Sequence, residues 1–203
     1  MDKLLDKIKS ADFSKILVDK GYAYFTNGKY NLNIIGIRRA GTKITNQFDD
    51  FIVVEYVDVY GIKTREIFSA TTDPGLSNIK KPLSRKGCAI LVPGQYRGCW
   101  TIGYHKGKYE ALVQSKPVKV YRDGNLDNTY DFNPKTIEEG IYGINIHKAG
   151  NNSTIVNGWS AGCQVLARKA DFDELMKLAH RQYANGCGKS FTYTLIKEED
   201  LKC

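Results

Sequence analysis

A histidine and a cysteine sixteen positions apart are the residues of this 203-residue chain best suited to chemistry. His147 ends the alternating apolar run 143–147, a pattern typical of a β-strand. Cys163 ends the small-residue segment 159–163, WSAGC, which follows a loop rich in Asn, Ser and Gly. A strand with a histidine at its tip and a turn with a cysteine can together form a thiol nucleophile with a nearby base.

The chemistry expected of such a pair is attack on an amide carbonyl. A free thiol has a pKa of about 8.5, so little of it is thiolate at neutral pH, and an imidazole within hydrogen-bonding reach activates it. The tetrahedral oxyanion then needs two donors, which the closely spaced N–H groups of Ala161, Gly162 and Cys163 can supply. The alternative is structural: Cys163 is a small buried hydrophobe and His147 is a histidine at a strand end.

The cysteine segment and its distance from His147 resemble the motif of the L,D-transpeptidase catalytic domain. In that family a histidine precedes, by about this spacing, a Ser/Thr-His-Gly-Cys segment that is followed by an apolar residue and an arginine. The corresponding segment here is SAGC at 160–163. The family's Pro-x-Gly-x-aromatic turn after a strand is present in shifted form as LVPGQY at 91–96. The resemblance covers residues 86–170.

This resemblance implies an α+β fold that is mainly β, with a few short helices around a β-sandwich or mixed-sheet core. It implies an acyl-enzyme mechanism on a peptidoglycan stem peptide at an L,D-linkage, ending in transpeptidation or in hydrolysis. Cys163 would be the nucleophile and His147 the base, with the backbone carbonyl of Lys148 orienting the imidazole. The amides of Gly162 and Cys163 would form the oxyanion hole.

Two residues depart from the family motif. Ala161 replaces the histidine inside the cysteine segment, and Val165 replaces the arginine that is associated with the substrate's carboxylate. Gln164 and Arg168 are the candidates to bind that carboxylate instead. These departures put the substrate and the transfer step in question, and they are compatible with a hydrolytic phage-type lysin.

Two residues next to the cysteine are further candidates for substrate binding. Trp159 can form a wall of the substrate groove, or it can be an anchor in the core. Ser160 can help to orient the cysteine turn. His105 and His180 receive no role, because residues 104–108 resemble a solvated hairpin tip and His180 lies at the edge of a predicted helix.

Charge and composition limit the partners. Lys and Arg outnumber Asp and Glu by 30 to 22, and no five consecutive residues are basic. The excess favours an anionic partner such as bacterial peptidoglycan with its associated polymers, and the scattered charges argue against nucleic-acid binding. The alternative to an enzyme is a catalytically silent protein that binds the cell wall or belongs to a virion. Ala161 and Val165 favour that alternative, and the oligomeric state stays open.

The cysteines and the N-terminus indicate where the protein is made. Five cysteines without a C-x-x-C pair fit neither a disulfide framework nor a zinc site. Residues 1–15 lack the apolar core and cleavage site of a secretory signal, and no apolar run reaches the roughly 18 residues of a membrane span. We therefore expect synthesis in the cytoplasm and action at the bacterial cell wall, after release by lysis, a holin or a virion.

Strands predominate in the predicted elements. Residues 2–20 predict two short helices, the second capped by Asp12. Period-two segments predict strands at 23–26, 30–38, 51–59, 62–70, 88–92, 100–104, 109–114, 117–122, 142–147 and 189–197. An amphipathic helix capped by Asp171 should bury Phe172, Leu175, Met176, Ala179 and Tyr183. We divide the chain into residues 1–72, packed on the core, and a catalytic region 73–203, with one continuous domain as the alternative.

A polar segment at 123–131 resembles a calcium loop. Its oxygen side chains alternate along the chain at Asp123, Asn125, Asp127 and Asp131. Asn128 stands where a glycine would ease the turn, and Pro134 stands where the bidentate glutamate belongs. An ordinary polar turn is therefore the preferred prediction, with no cofactor, and calcium is the alternative.

Overall fold

The computed structural model describes residues 2–201, and it is mainly β with four helices, which confirms the α+β class. The helices are α1 (Lys3–Ser10), α2 (Phe13–Asp19), α3 (Leu76–Lys80) and α4 (Lys169–Ala184). The strands are β1 (Asn33–Arg38), β2 (Asp50–Val57), β3 (Lys63–Thr71), β4 (Cys88–Leu91), β5 (Gly94–His105), β6 (Tyr109–Gln114), β7 (Val118–Asp123), β8 (Glu138–Gly140), β9 (Ile146–Lys148), β10 (Gln164–Leu166) and β11 (Ser190–Lys197).

Eight of the strands close into a barrel in the order β1-β11-β5-β6-β9-β10-β3-β2, and β4, β7 and β8 form a separate sheet. The pairs β1–β11 and β9–β10 are parallel, whereas their neighbours in the barrel pair antiparallel. The sheet is thus mixed, but it closes on itself where a sandwich would stack two sheets. Closure joins strands from the two ends of the chain, because β1 pairs with β11 and β3 with β10.

The strand β1 is buried along its whole length because both of its faces are covered. One face, including Ile34, belongs to the barrel core together with Trp100 and side chains of α4 such as Leu175. The other face, including Ile35, packs with side chains of α1 and α2 such as Phe13. A strand buried on both sides is typically a continuous apolar run, and residues 34–37 of this strand follow that pattern.

Several elements follow the local pattern of the sequence. Both N-terminal helices form, and the side chain of Asp12 accepts a hydrogen bond from the Lys15 amide at 3.1 Å, as expected of a cap. The strands predicted at 51–59 and 62–70 are confirmed, and they form a hairpin in which β2 and β3 pair from Asp50↔Ala70 to Val57↔Lys63.

The predicted strand at 23–26 is wrong. Amide side chains take the place of a partner strand there: Gln95 bonds both the N–H and the carbonyl of Ala23, and Asn33 does the same for Phe25. The chain therefore runs extended without a ladder. The predicted strand at 142–147 is also largely wrong, because only Ile146–Lys148 pairs and the Gln114 side chain accepts from the amides of Tyr142 and Ile144.

The helix after the cysteine begins earlier than predicted. α4 starts at Lys169, so Asp171 lies inside its first turn, where it pairs with Arg168 at 2.8 Å, and does not cap it. The residues expected on the buried face of this helix are buried from Phe172 to Ala179, but Tyr183 keeps 48% of its surface exposed. The short strand β10, directly after the cysteine, has no counterpart among the predicted strands.

Candidate active site

The two candidate catalytic side chains face the same way because their strands are adjacent and parallel. β9 and β10 pair with Val165 opposite His147 and Gln164 opposite Ile146. Side chains alternate along a strand, so Ile146 and Gln164 turn into the barrel while His147 turns outward. Cys163 is one residue before Gln164 and therefore shares the outward face.

The turn that carries Cys163 is fixed by Ser160, whose side chain is fully buried. Its hydroxyl donates to the Cys163 carbonyl at 2.8 Å and accepts from the Gly162 amide at 3.2 Å. Its own carbonyl accepts from the Asn78 side chain at 2.7 Å and from the Gly75 amide at 2.9 Å. Ser160 thus orients the turn, and its burial keeps it from contact with a substrate.

Gly162 is required by geometry on two counts. Its φ of +124° lies in the region that L side chains rarely adopt. A Cβ there would also lie 2.2 Å from the carbonyl oxygen of Ala89 on β4. The small sheet therefore packs directly against the cysteine turn, and only glycine fits at position 162.

The imidazole of His147 is held in one tautomer. Its Nδ1 lies 2.8 Å from the carbonyl oxygen of Lys148, the acceptor that the family resemblance assigns. A carbonyl only accepts hydrogen bonds, so Nδ1 carries the proton and Nε2 keeps a free lone pair. The hydroxyl of Tyr109 lies 3.4 Å from the same carbonyl oxygen and adds a second contact. A histidine in this state is ready to accept a proton at Nε2.

A second histidine, His105, for which no role was expected, stacks on His147. The rings of His105 and His147 lie 4.0 Å apart with an angle of 23° between their planes. His105 is buried at the end of β5, so the turn begins at Lys106, two residues later than the predicted tip. The hairpin register could have indicated this contact, because His105 pairs with Tyr109 across the strands and both rings lie on one face of the hairpin.

Hydrogen bonds determine the protonation state of His105 as well. The side-chain oxygen of Asn145 accepts from the Gln114 amide at 3.0 Å, so its NH₂ group is the one that faces His105. That group donates to His105 Nδ1 at 3.0 Å, which must then be unprotonated. His105 is therefore neutral, with its proton on Nε2.

The resting pair is a neutral thiol beside a neutral imidazole. Burial, together with the neighbouring His105, lowers the pKa of His147 to about 3. Burial also raises the pKa of the Cys163 thiol above its ordinary value, against the opposing effect of a hydrogen bond from the Asn145 backbone. The Cys163 sulfur lies 3.4 Å from the carbonyl oxygen of Gly143, to which it donates. These shifts disfavour a thiolate–imidazolium ion pair at rest.

Both side chains open onto a cavity of about 600 Å³. Trp159 forms part of its wall with 46% of its surface exposed, as expected for a residue lining a groove. The cations Lys106 and Arg122 also line it, and none of its lining side chains is acidic. A cavity of this size, lined by cations and by no acidic side chain, favours an anionic ligand.

The two residues proposed to replace the family arginine lie elsewhere. Gln164 is fully buried in the barrel, where it accepts from the Tyr193 hydroxyl at 2.8 Å and donates to the Thr72 carbonyl at 3.2 Å. Arg168 pairs with Asp171 at the start of α4 and does not line the cavity. Val165 itself is fully buried in an apolar cluster. Gln164 and Arg168 therefore cannot contact a ligand beside Cys163.

The segment at 123–131, which resembles a calcium loop in sequence, forms polar turns. Asp123 is buried and accepts from the Asp131 amide at 3.1 Å, and Asp127 accepts from the Thr129 amide at 2.7 Å. Across residues 2–201, no three His, Cys, Asp or Glu side chains come together as a possible metal site. Cys88, Cys99, Cys163 and Cys187 are free thiols, and Cys203 lies outside the described residues.

Comparison of the chain with protein-family models, with curated proteins and with solved structures found no match. The resemblance to the L,D-transpeptidases therefore depends on the sequence motif alone. Among the helices of residues 2–201, none is long and apolar enough to cross a membrane.

Proposed function

We propose that this protein is a cysteine enzyme that attacks a peptidoglycan stem-peptide amide through an acyl-enzyme, with a catalytic domain related to the L,D-transpeptidases. One observation carries the proposal. The Nδ1 of His147 is bonded to the Lys148 carbonyl at 2.8 Å, which leaves Nε2 free on the same face and in the same cavity as Cys163. A histidine with only a structural role needs no such orientation beside a thiol.

The reaction begins when the Cys163 thiol turns from the Gly143 carbonyl toward His147. Nε2 takes the thiol proton as the sulfur bonds to the amide carbon, and the oxyanion accepts hydrogen bonds from backbone amides of the turn. The Gly162 amide is available for this after it leaves its 3.2 Å contact with Ser160. His147 then returns the proton to the departing amine, and a thioester to Cys163 remains.

The fate of the thioester distinguishes two activities. Attack by an amine of a second stem peptide gives a new cross-link, and attack by water gives hydrolysis. Both acceptors need the same base, because His147 Nε2 removes a proton from either one. Our proposal covers both, and the net charge of +8 favours a polyanionic cell wall as the place where either reaction occurs.

The test is digestion of purified peptidoglycan, followed by mass analysis of the released muropeptides. The wild-type protein should change the muropeptide pattern, and Cys163→Ala should abolish the change while its circular dichroism stays the same. Cys187→Ala is the matched control, because this thiol is partly exposed but lies outside the cavity. Unchanged activity of Cys163→Ala would contradict the proposal.

The second candidate function is a catalytically silent protein that binds the cell wall or belongs to a virion. The observation that favours it is the raised pKa of the Cys163 thiol, together with its contact to the Gly143 carbonyl. Alkylation by iodoacetamide at increasing pH separates the two functions. An enzyme should show reaction at Cys163 that slows when His147 is replaced by Ala, whereas a silent fold should show no dependence on His147.

A further inference from the structure

The residue after the proposed nucleophile is a glutamine whose side chain lies inside the barrel. Gln164 is fully buried, and its Nε2 donates to the carbonyls of Gly162 and Thr72 at 3.2 Å each. Both of these groups can only accept, so Nε2 lies on their side and Oε1 faces the hydroxyl of Tyr193, which donates to it at 2.8 Å. The glutamine amide is therefore held in one orientation.

The barrel leaves room for the hydroxyl of Tyr193 at the neighbouring strand β1. A Cβ at Gly36 on β1 would lie 1.8 Å from this oxygen, so only glycine fits there. The tyrosine ring is fully buried and packs edge-on against Trp100, with 5.5 Å between the ring centroids. Burial raises the pKa of Tyr193 well above its ordinary value, so the hydroxyl keeps its proton and remains a donor to Gln164.

The bond from Gln164 orients the peptide that joins Gly162 to Cys163. None of the peptide bonds of residues 2–201 is cis, so the carbonyl and the N–H of this peptide point in opposite directions. The carbonyl points to the buried glutamine, and the Cys163 N–H therefore points away from the barrel interior, on the side where Cys163 lines the cavity. Over the described part of the chain, 2–201, no acceptor is bonded to this N–H.

We propose that Gln164, held by Tyr193, is a positioning residue that orients the Cys163 N–H into the cavity as a donor to the oxyanion. This inference rests on the proposed function and adds to it a residue that touches no substrate. When the sulfur bonds to the amide carbon, the carbonyl oxygen takes the electron pair of the π bond and accepts a hydrogen bond from this N–H. Because the N–H is oriented before the attack, the peptide does not have to turn during the reaction.

The first experiment compares two reactions of the Cys163 thiol, each mapped by mass spectrometry. In acylation by p-nitrophenyl acetate, the sulfur bonds to the carbonyl carbon, an oxyanion forms, the thiol proton passes to His147 and nitrophenolate leaves. Alkylation by iodoacetamide displaces iodide and forms no oxyanion, so the ratio of acylation to alkylation reports the oxyanion donor. Gln164→Met should lower this ratio about tenfold, and Tyr193→Phe, which frees one end of the glutamine amide, should lower it about threefold.

The matched control is Gln182→Met, which should leave the ratio at Cys163 unchanged. Gln182 is also a buried glutamine whose amide bonds backbone groups, but it lies on α4 and does not line the cavity. An unchanged ratio in Gln164→Met, or an equal fall in Gln182→Met, would overturn the proposal. If circular dichroism shows that Gln164→Met does not fold, Tyr193→Phe decides by the same ratio.

The second experiment uses purified peptidoglycan and separates this inference from the proposed function. Gln164→Met should lower kcat about tenfold with little change in KM, because the oriented N–H acts on the oxyanion and not on the bound substrate. A raised KM with unchanged kcat would contradict the positioning role. If the wild-type protein leaves peptidoglycan unchanged, the proposed function is refuted, and the ratio of acylation to alkylation still decides whether Gln164 orients an oxyanion donor.

Discussion

At the scale of single residues, the site depends on where two protons are held. The Lys148 carbonyl keeps a proton on Nδ1 of His147, and the Asn145 amide keeps Nδ1 of His105 unprotonated. The Lys148 carbonyl can only accept a hydrogen bond, so His147 Nδ1 must be the donor. The Asn145 NH₂ group can only donate, so His105 Nδ1 must be the acceptor. The two stacked rings are therefore both neutral, and the His105 ring supports the His147 ring from one face.

The first prediction concerns this platform. His105→Ala removes the ring on which His147 rests, and a misplaced base should lower kcat about a hundredfold with a smaller change in KM. His105→Phe keeps a flat ring and should recover most of the loss. Steady-state kinetics with circular dichroism on each variant measure this. His180→Ala is the control, because that histidine pairs with Glu110 on the surface, and equal losses in the Ala and Phe variants would contradict the stacking role.

The second prediction concerns pH. His147 must be neutral to accept a proton, and its lowered pKa of about 3 means that it becomes protonated only in strong acid. The acid limb of kcat/KM should therefore lie well below pH 6.5, the pKa of an ordinary histidine. A profile measured from pH 4 to 9 checks this. A limb centred near pH 6.5 would show that His147 is not held neutral by its burial.

At the scale of elements, the site is made by β9, β10 and the turn that β4 touches. The parallel pair sets the common face of the two side chains, and the turn sets the position of the sulfur. Both strands have three residues, so their geometry comes from neighbours: β3 beside β10, β6 beside β9, and the Ala89 carbonyl against Gly162.

The third prediction tests that contact. In Gly162→Ala the new Cβ would meet the Ala89 carbonyl oxygen at 2.2 Å in a backbone region closed to alanine. We expect a loss of about 1–3 kcal/mol in the free energy of unfolding, and loss of activity as the turn shifts. Urea denaturation measures the first. Gly158→Ala, with no atom within 4 Å of the added Cβ, should leave stability unchanged, and equal stability of the two variants would contradict the expectation.

At the scale of the whole molecule, one arginine of the barrel bonds to the end of the first N-terminal helix. Arg65 on β3 pairs with the buried Glu55 at 2.6 Å and donates to the carbonyls of Ile8, Lys9 and Ala11 at the end of α1. It satisfies carbonyls that a helix end leaves free, and it neutralises a carboxylate with 1% of its surface exposed.

The fourth prediction concerns the contacts of Arg65 with Glu55 and with the end of α1. Arg65→Met leaves Glu55 buried with less compensation and should cost about 3–5 kcal/mol of unfolding free energy. Adding Glu55→Gln should recover part of the loss, since no charge then remains buried. Lys63→Met, which removes the weaker and half-exposed partner of Glu55 at 3.7 Å, should cost far less. Urea denaturation of the wild type, Arg65→Met, Glu55→Gln and the double variant measures the coupling, and additive losses would contradict it.

The sequence by itself determined what depends on neighbours along the chain. The capped helix α2, the β2–β3 hairpin and the mainly β class are all encoded by local period and turn chemistry. Tertiary structure decided what depends on residues far apart in the chain. Closure into a barrel, the amide side chains that replace a strand at 23–26, the stack of His105 on His147 and the burial of Gln164 all join distant segments. A local pattern contains no record of such contacts, because they form only when the barrel closes.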